Sequence, residues 1–237
     1  MTSSEGTGDI VLEEIWTEVQ RLKGNSANNA TTGSFSNHMK CGYTTDEASQ
    51  VRELVHKDTF NVVPPPVDCP AWLCIVLPCI NHLKSMKAHK NCIPEDAEVL
   101  RNGKWIRYDA SNLVVGDVIR VQEGDTIPAD CVVRIDNNID DDLLVDLRVV
   151  TGQIRPKQLN VNEVSTRSRR TLLYGGTVVQ GYATALVTAI GTDTILGKLI
   201  KSGKFPVSEN DSSDDMDGTS IIDENMNMRA MEMGTIS

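Results

Sequence analysis

The sequence predicts a mainly β domain, a compact sandwich of short strands, with a few helices before it and a polar tail after it. Three observations predict this. Asn102-Gly103 lies between the strand-like runs Glu98-Val99-Leu100 and Trp105-Ile106, and Asn-Gly is the strongest short signal for a two-residue hairpin. Gly116-Asp117 and Gly124-Asp125 bracket Val118-Ile119-Arg120-Val121, a β-branched run too short for a helix. Glycine admits a positive φ and aspartate caps its own turn, so each pair can reverse the chain tightly. Farther on, residues 172–181 and 183–191 alternate like paired strands between glycines.

With 237 residues, the chain has room for one ordinary domain plus tails. Hydrophobic residues make up 40% and aromatics only 4%, so the core must rest on Val, Ile, Leu and Ala. Taken in order, residues 9–23 have helical periodicity, with Leu12, Ile15, Trp16, Val19 and Leu22 on one face and Asp9 as cap. Residues 24–40 read as a polar, disordered linker. A second helix opens near Gly42-Tyr43-Thr44-Thr45-Asp46-Glu47-Ala48. Thr45 is placed to cap it, and Ala48, Val51, Leu54 and Val55 to form its apolar face. The resulting division is 1–41 (helix and linker), 42–94 (helical segment), 95–202 (β domain) and 203–237 (acidic disordered tail).

Charge and cysteines bound the function class. The net charge is −10, and from Ser208 to Ser237 eight acids face one base, Arg229, so the tail alone carries −7. Neither the tail nor the nearly neutral body is built to neutralise phosphates along a nucleic acid. The N-terminus lacks the basic and apolar regions of a signal peptide, so the six cysteines are expected as reduced thiols in the cytoplasm. Cys69, Cys74 and Cys79 are five apart, with His82 beyond them. That is not the Cys-x-x-Cys spacing of zinc sites, and no metal is assigned. The apolar run Pro70–Ile80 has 11 residues and is broken by Pro78, against the roughly 20 a spanning helix needs, so no membrane span is expected.

The string from Gly116 to Asp130, with its two Gly-Asp turns and closing Pro128-Ala129-Asp130, resembles the actuator domain of P-type cation-transporting ATPases. There the pattern is GD(I/V)-x-x-(L/V)-x-x-GD-x-(I/V)-PAD. Three further blocks in family order strengthen the resemblance. Gly42–Ala48 looks like the N-terminal segment of cation pumps. Leu172–Gly181 and Ala183–Gly191, with Gly176 and Gly191, resemble the paired strands of the actuator. Thr192–Ile200 matches its usual exit. Lys84–Lys90 is similar to the stalk leading into the actuator, and the 70–80 patch stands near where the first membrane hairpin begins. The resemblance covers residues 42 to about 201 and is dense from 95. It implies a distorted jelly-roll β-sandwich.

The family's catalytic loop reads V-D-x-S-x-L-T-G-E-S-x-P. In this sequence Val145, Asp146, Thr151, Gly152 and Pro156 stand where that pattern expects them. Arg148 replaces its first serine, Gln153 its glutamate and Ile154 its second serine. In a complete pump this loop swings onto a phosphorylated aspartate, and the glutamate positions and activates the hydrolytic water. Gln153 can hydrogen-bond to a water but has no comparable basicity, and losing a general base costs on the order of 10²–10⁴ in rate. Thr151, Gly152 and Gln153 therefore read as a degenerate dephosphorylation loop, carried on a scaffold marked by Asp146, Gly116, Asp117, Gly124, Asp125, Pro128, Asp130, Gly176 and Gly191.

The sequence contains no Asp-Lys-Thr-Gly-Thr and no Gly-x-x-x-x-Gly-Lys-(Ser/Thr). Magnesium and ATP belong to the full-length family, and neither is expected to be bound by this chain. Three readings follow: a degenerate actuator that binds or regulates a P-type pump at the membrane periphery; a fragment of a complete pump; or a β-sandwich interaction module without a link to transport. None makes the chain an enzyme by itself.

Overall fold

The computed structural model describes residues 9–23, 32–56, 59–67, 83–134, 143–159 and 170–207. Its helices are α1 (Ile10–Leu22), α2 (Thr32–Cys41), α3 (Thr45–His56), α4 (Lys84–Cys92), α5 (Arg148–Thr151) and α6 (Ile195–Lys201). Nine strands are found among the described residues: β1 (Asp96–Arg101), β2 (Lys104–Asp109), β3 (Val118–Gln122), β4 (Asp130–Val133), β5 (Leu143–Asp146), β6 (Lys157–Leu159), β7 (Thr171–Leu172), β8 (Thr177–Gln180) and β9 (Tyr182–Ala189). They form a six-stranded sheet in the order β2-β1-β3-β9-β4-β7 and a three-stranded sheet in the order β6-β5-β8. Every pairing between these strands is antiparallel, and neither sheet closes into a barrel. The mainly β architecture expected from the turn signals is the one that forms.

The hairpin at Asn102-Gly103 is tight because both residues take a positive φ, 52° and 72°, which the right-handed twist of β1 and β2 requires. β4 is buried at all four positions and β9 at most of its eight, so both faces of the sheet centre are covered. A single apolar core joins Val118, Ile119 and Leu186 of the large sheet, Val145 and Val178 of the small one, and the buried faces of α1 to α3.

The N-terminal helices are part of this body. Leu12, Ile15, Trp16 and Val19 of α1 are buried as their spacing predicts. Asp9 caps the helix and also pairs with Arg170, whose Nη1 donates to Asp9 Oδ1 at 2.7 Å while its Nε donates to Val133 O at 2.9 Å. The stretch 24–40 expected as a linker needs correction: from Thr32 onward it is α2. Phe35, His38 and Met39, at i, i+3 and i+4, turn inward, so burial on one face overrides a polar composition. His38 stacks on Trp16 with ring centroids 3.9 Å apart.

Two details of α3 also differ from expectation. The cap is Thr44, not Thr45. Thr44 Oγ1 accepts from Glu47 N at 3.2 Å while Glu47 Oε2 accepts from Thr44 N at 2.8 Å, a reciprocal capping box. Leu54, assigned to the apolar face, is 60% exposed, whereas Ala48 and Val51 are buried. The body runs past residue 202, since Phe205 packs into the core. The acidic tail from Ser208, the 70–80 apolar run, and Cys69, Cys74, Cys79 and His82 lie outside the described residues, as do 24–31 of the linker. Among the described residues no helix is long and apolar enough to cross a membrane.

Candidate functional site

The two Gly-Asp turns share local geometry and differ in surroundings. Both glycines sit at φ +88°, and both aspartates close an i→i−3 backbone bond, Asp117 N to Val114 O at 3.1 Å and Asp125 N to Gln122 O at 2.9 Å. Each side chain then caps its turn: Asp117 Oδ2 accepts from Val114 N at 2.9 Å, and Asp125 Oδ2 from Gln122 N at 3.0 Å. Asp117 is fully buried and receives Arg101 Nη2 at 2.6 Å. Burial pushes its carboxyl up to about 6, against the pull of Arg101 and Val114 N. Gly116 is crowded: a Cβ there would lie 2.4 Å from Tyr43 Oη, whereas one at Gly124 would meet nothing within 4 Å. The first turn organises the docking of the N-terminal helices. The second is a surface corner.

Asp130 closes the signature as a two-way clamp. Its Oδ1 accepts from Tyr174 N at 2.9 Å and its Oδ2 from Ile195 N, at the start of α6, at 2.7 Å. Asn61, which the sequence reading did not single out, does comparable work. Its Nδ2 donates to Ala110 O (2.9 Å) and Pro128 O (2.7 Å), and its Oδ1 accepts from Gly191 N (2.8 Å). A lone asparagine before Val62-Val63-Pro64 gives no local pattern that separates this role from a turn residue.

From this frame the chain presents the loop after β5. Asp146 Oδ1 accepts from Arg148 N (2.9 Å) and Oδ2 from Arg148 Nη2 (2.6 Å). Partial burial works against the Asp146 carboxylate, but those bonds prevail and hold it below the usual carboxylate range. The single turn α5 follows, anchored by the buried Leu147 and Val150 and ended by Gly152 at φ +74°, a left-handed cap. Leu147 fits because Gly176 opposite has no side chain: a Cβ there would lie 2.5 Å from Leu147 Cδ2. Thr151, only 7% exposed, donates from Oγ1 to Leu147 O (3.0 Å) and accepts from Gln153 N (3.3 Å).

Thr151, Gly152 and Gln153 are thus brought together as one rigid corner. Gln153 is half-buried, and Ile154 beyond it is 62% exposed. The substituted Arg148 is on the surface and held by Asp146. The corner supplies an amide and backbone N–H groups, and its one carboxylate is committed to Arg148, so its residues do not fit a magnesium ion of their own. No cluster of three or more His, Cys, Asp or Glu that could hold a metal occurs among the described residues.

Residues 91–204 match the family model of the P-type ATPase actuator domain. The chain is 36% identical over 134 residues to the sodium/potassium-transporting ATPase subunit alpha of Hydra vulgaris, covering 53% of this chain and 13% of that protein. It is also 36% identical over 107 residues to a protein of Methanocaldococcus jannaschii named as a cation-transporting ATPase, covering 45% and 12%. The chain therefore spans about an eighth of the length of these curated relatives. Among solved structures, a zinc-transporting PIB-type ATPase in its E2.Pi state aligns at 25% identity with a TM-score of 0.39, over 48% of this chain and 17% of that one. Residues 91–204 of this chain are thus similar to the P-type ATPase actuator domain.

Proposed function

We propose that this actuator docks on the phosphorylated domain of a P-type cation pump and does not drive hydrolysis there, so that it acts as a regulatory element. The observation that carries this reading is Gln153. It follows the Gly152 turn on a corner that retains the family's threonine and glycine, and it holds an amide where the related pattern has a carboxylate. The corner is anchored by Leu147, Val150 and Thr151, so it presents a fixed surface to a partner. General-base help from that position is absent.

A pull-down of the tagged chain from native membranes tests the proposal. A P-type pump is expected to co-purify, more strongly when it is held in its phosphorylated state. If no pump is recovered, the reading is wrong and the chain is a β-sandwich interaction module of another kind.

The short share of the relatives' length favours a second reading, in which this sequence is one segment of a complete pump. Transcript sequencing through residues 70–90, where the family's membrane hairpin is expected, and beyond Ser237 separates the two. A reading frame continuing into Asp-Lys-Thr-Gly-Thr selects the second.

A further inference from the structure

A cleft of about 240 Å³ lies between α3 and the β1–β2 hairpin, away from the Gln153 corner. One face of α3 forms its wall, with Thr45, Ser49 and Arg52 separated by helical spacing. Arg101 of β1, Tyr108 of β2 and Asn112 complete the polar lining. We propose that this cleft binds a phosphate-class oxyanion between the guanidinium groups of Arg52 and Arg101.

The first support is the donor capacity of the two arginines. Arg52 donates through Nη2 to Asn112 O at 2.7 Å and Arg101 through Nη2 to Asp117 at 2.6 Å. A guanidinium carries five N–H donors, so these bonds leave each arginine further donors for an acceptor that enters the cleft both side chains line. The second support is the chemistry of the lining. It includes two guanidiniums, two hydroxyls and a phenol, but no carboxylate. Asp117, the one acid in contact with Arg101, is fully buried and neutralises a single charge, which leaves the pair of arginines with a net positive charge.

Thr45 Oγ1 accepts from Asn102 Nδ2 at 3.1 Å, so its own proton remains a further donor. Planar guanidiniums match tetrahedral oxyanions better than any other side chain. The volume is below the roughly 300 Å³ at which drug-sized pockets begin, which suits a phosphate group and not a larger ligand.

Thermal unfolding of the full chain in inorganic phosphate, against chloride at matched ionic strength, tests this. Phosphate is expected to raise the Tm of the wild type. Arg52→Gln is expected to weaken phosphate binding at least about tenfold, the loss of a charge-assisted bond. Ser49→Asp, at an exposed position of α3, places a carboxylate in the cleft without touching the core and is expected to abolish the shift, so the test stands even if Arg52→Gln fails to fold. No shift in the wild type, or an equal shift in wild type and Ser49→Asp, overturns the proposal. Sedimentation with phosphatidylcholine vesicles, with and without phosphatidic acid, then identifies the source of the phosphate. Arg52-dependent pelleting with phosphatidic acid marks a lipid headgroup, and a phosphate shift without pelleting marks a soluble ligand.

Discussion

Asp130 Oδ2 accepts the backbone N–H of Ile195 at 2.7 Å, so the last residue of the Pro-Ala-Asp signature caps a helix that begins 65 residues later. The other oxygen holds Tyr174 N at 2.9 Å. Replacing Asp130 with Ala leaves two buried N–H groups without this acceptor, at about 1–3 kcal/mol each. The expected loss is about 2–6 kcal/mol by urea denaturation. Hydrogen exchange should localise it to α6 and the turn at Tyr174-Gly175. A loss spread evenly over the sheet would contradict the clamp.

Gly116 and Gly124 share a φ of +88° and should respond very differently to alanine. At Gly124 the added Cβ meets open space, so Gly124→Ala carries only the left-handed backbone cost of about 1–2 kcal/mol. At Gly116 the same methyl group lies 2.4 Å from Tyr43 Oη and 3.1 Å from Val19 Cγ1. Tyr43 is 1% exposed and packs against Trp16 and His38, so it has little room to move. Gly116→Ala should therefore cost at least about 2 kcal/mol more than Gly124→Ala, by overpacking added to strain. Paired denaturant curves measure the difference.

These twin turns show how much the sequence discloses. The Gly-Asp pairs, the Asn-Gly hairpin and the alternation of β9 were legible because each is a local signal, with turn chemistry and side-chain period acting over a few residues. The family pattern added the order of the strands' blocks and pointed to the Thr151-Gly152-Gln153 corner. The burial of Asp117 against the exposure of Gly124 was not legible, because it depends on Tyr43 and Val19 arriving from more than 70 residues away. The same holds for α2, whose Phe35 and His38 become informative only once Trp16 is known to face them. Asn61 and the Arg170–Asp9 pair are also long-range, and no spacing rule reaches them.

His38 makes acid sensitivity a measurable property of the N-terminal docking. Burial drives its imidazole down to about 4, more than its hydrogen bond to Gly116 O at 2.8 Å can offset. The unfolded chain binds a proton near pH 6.5 that the folded chain refuses until about pH 4. Between those values the unfolded state holds more protons, so this contribution to stability is full above 6.5 and is lost as pH falls towards 4. The loss is at most about 3 kcal/mol. Asp117 titrates in the opposite sense, its carboxyl raised to about 6, and therefore masks part of the slope. Comparing wild type with His38→Gln isolates the imidazole: the variant is expected to be less stable at pH 7 and to lose less stability on acidification. Parallel pH profiles would contradict a buried neutral His38.

Gln153→Glu tests the proposed docking of the corner apart from its chemistry. Bonds to backbone groups fix the Thr151 and Gly152 geometry: Thr151 Oγ1 takes the Gln153 backbone N–H, and Gly152 N donates to Arg148 O at 2.9 Å. A change of one terminal group on a half-buried surface residue should leave stability within about 0.5 kcal/mol. Binding to a phosphorylated cation pump should also persist, since Ile154 and the anchored turn are unchanged. The restored carboxylate can accept a proton from a water, which the amide cannot, so dephosphorylation of the bound pump is expected to rise by on the order of 10²–10⁴. Acid-quenched decay of the phosphoenzyme, with wild type or Gln153→Glu added, measures it. Wild type that already accelerates decay as much as the glutamate variant would show that an amide positions the water well enough, and docking without catalysis would have to be abandoned.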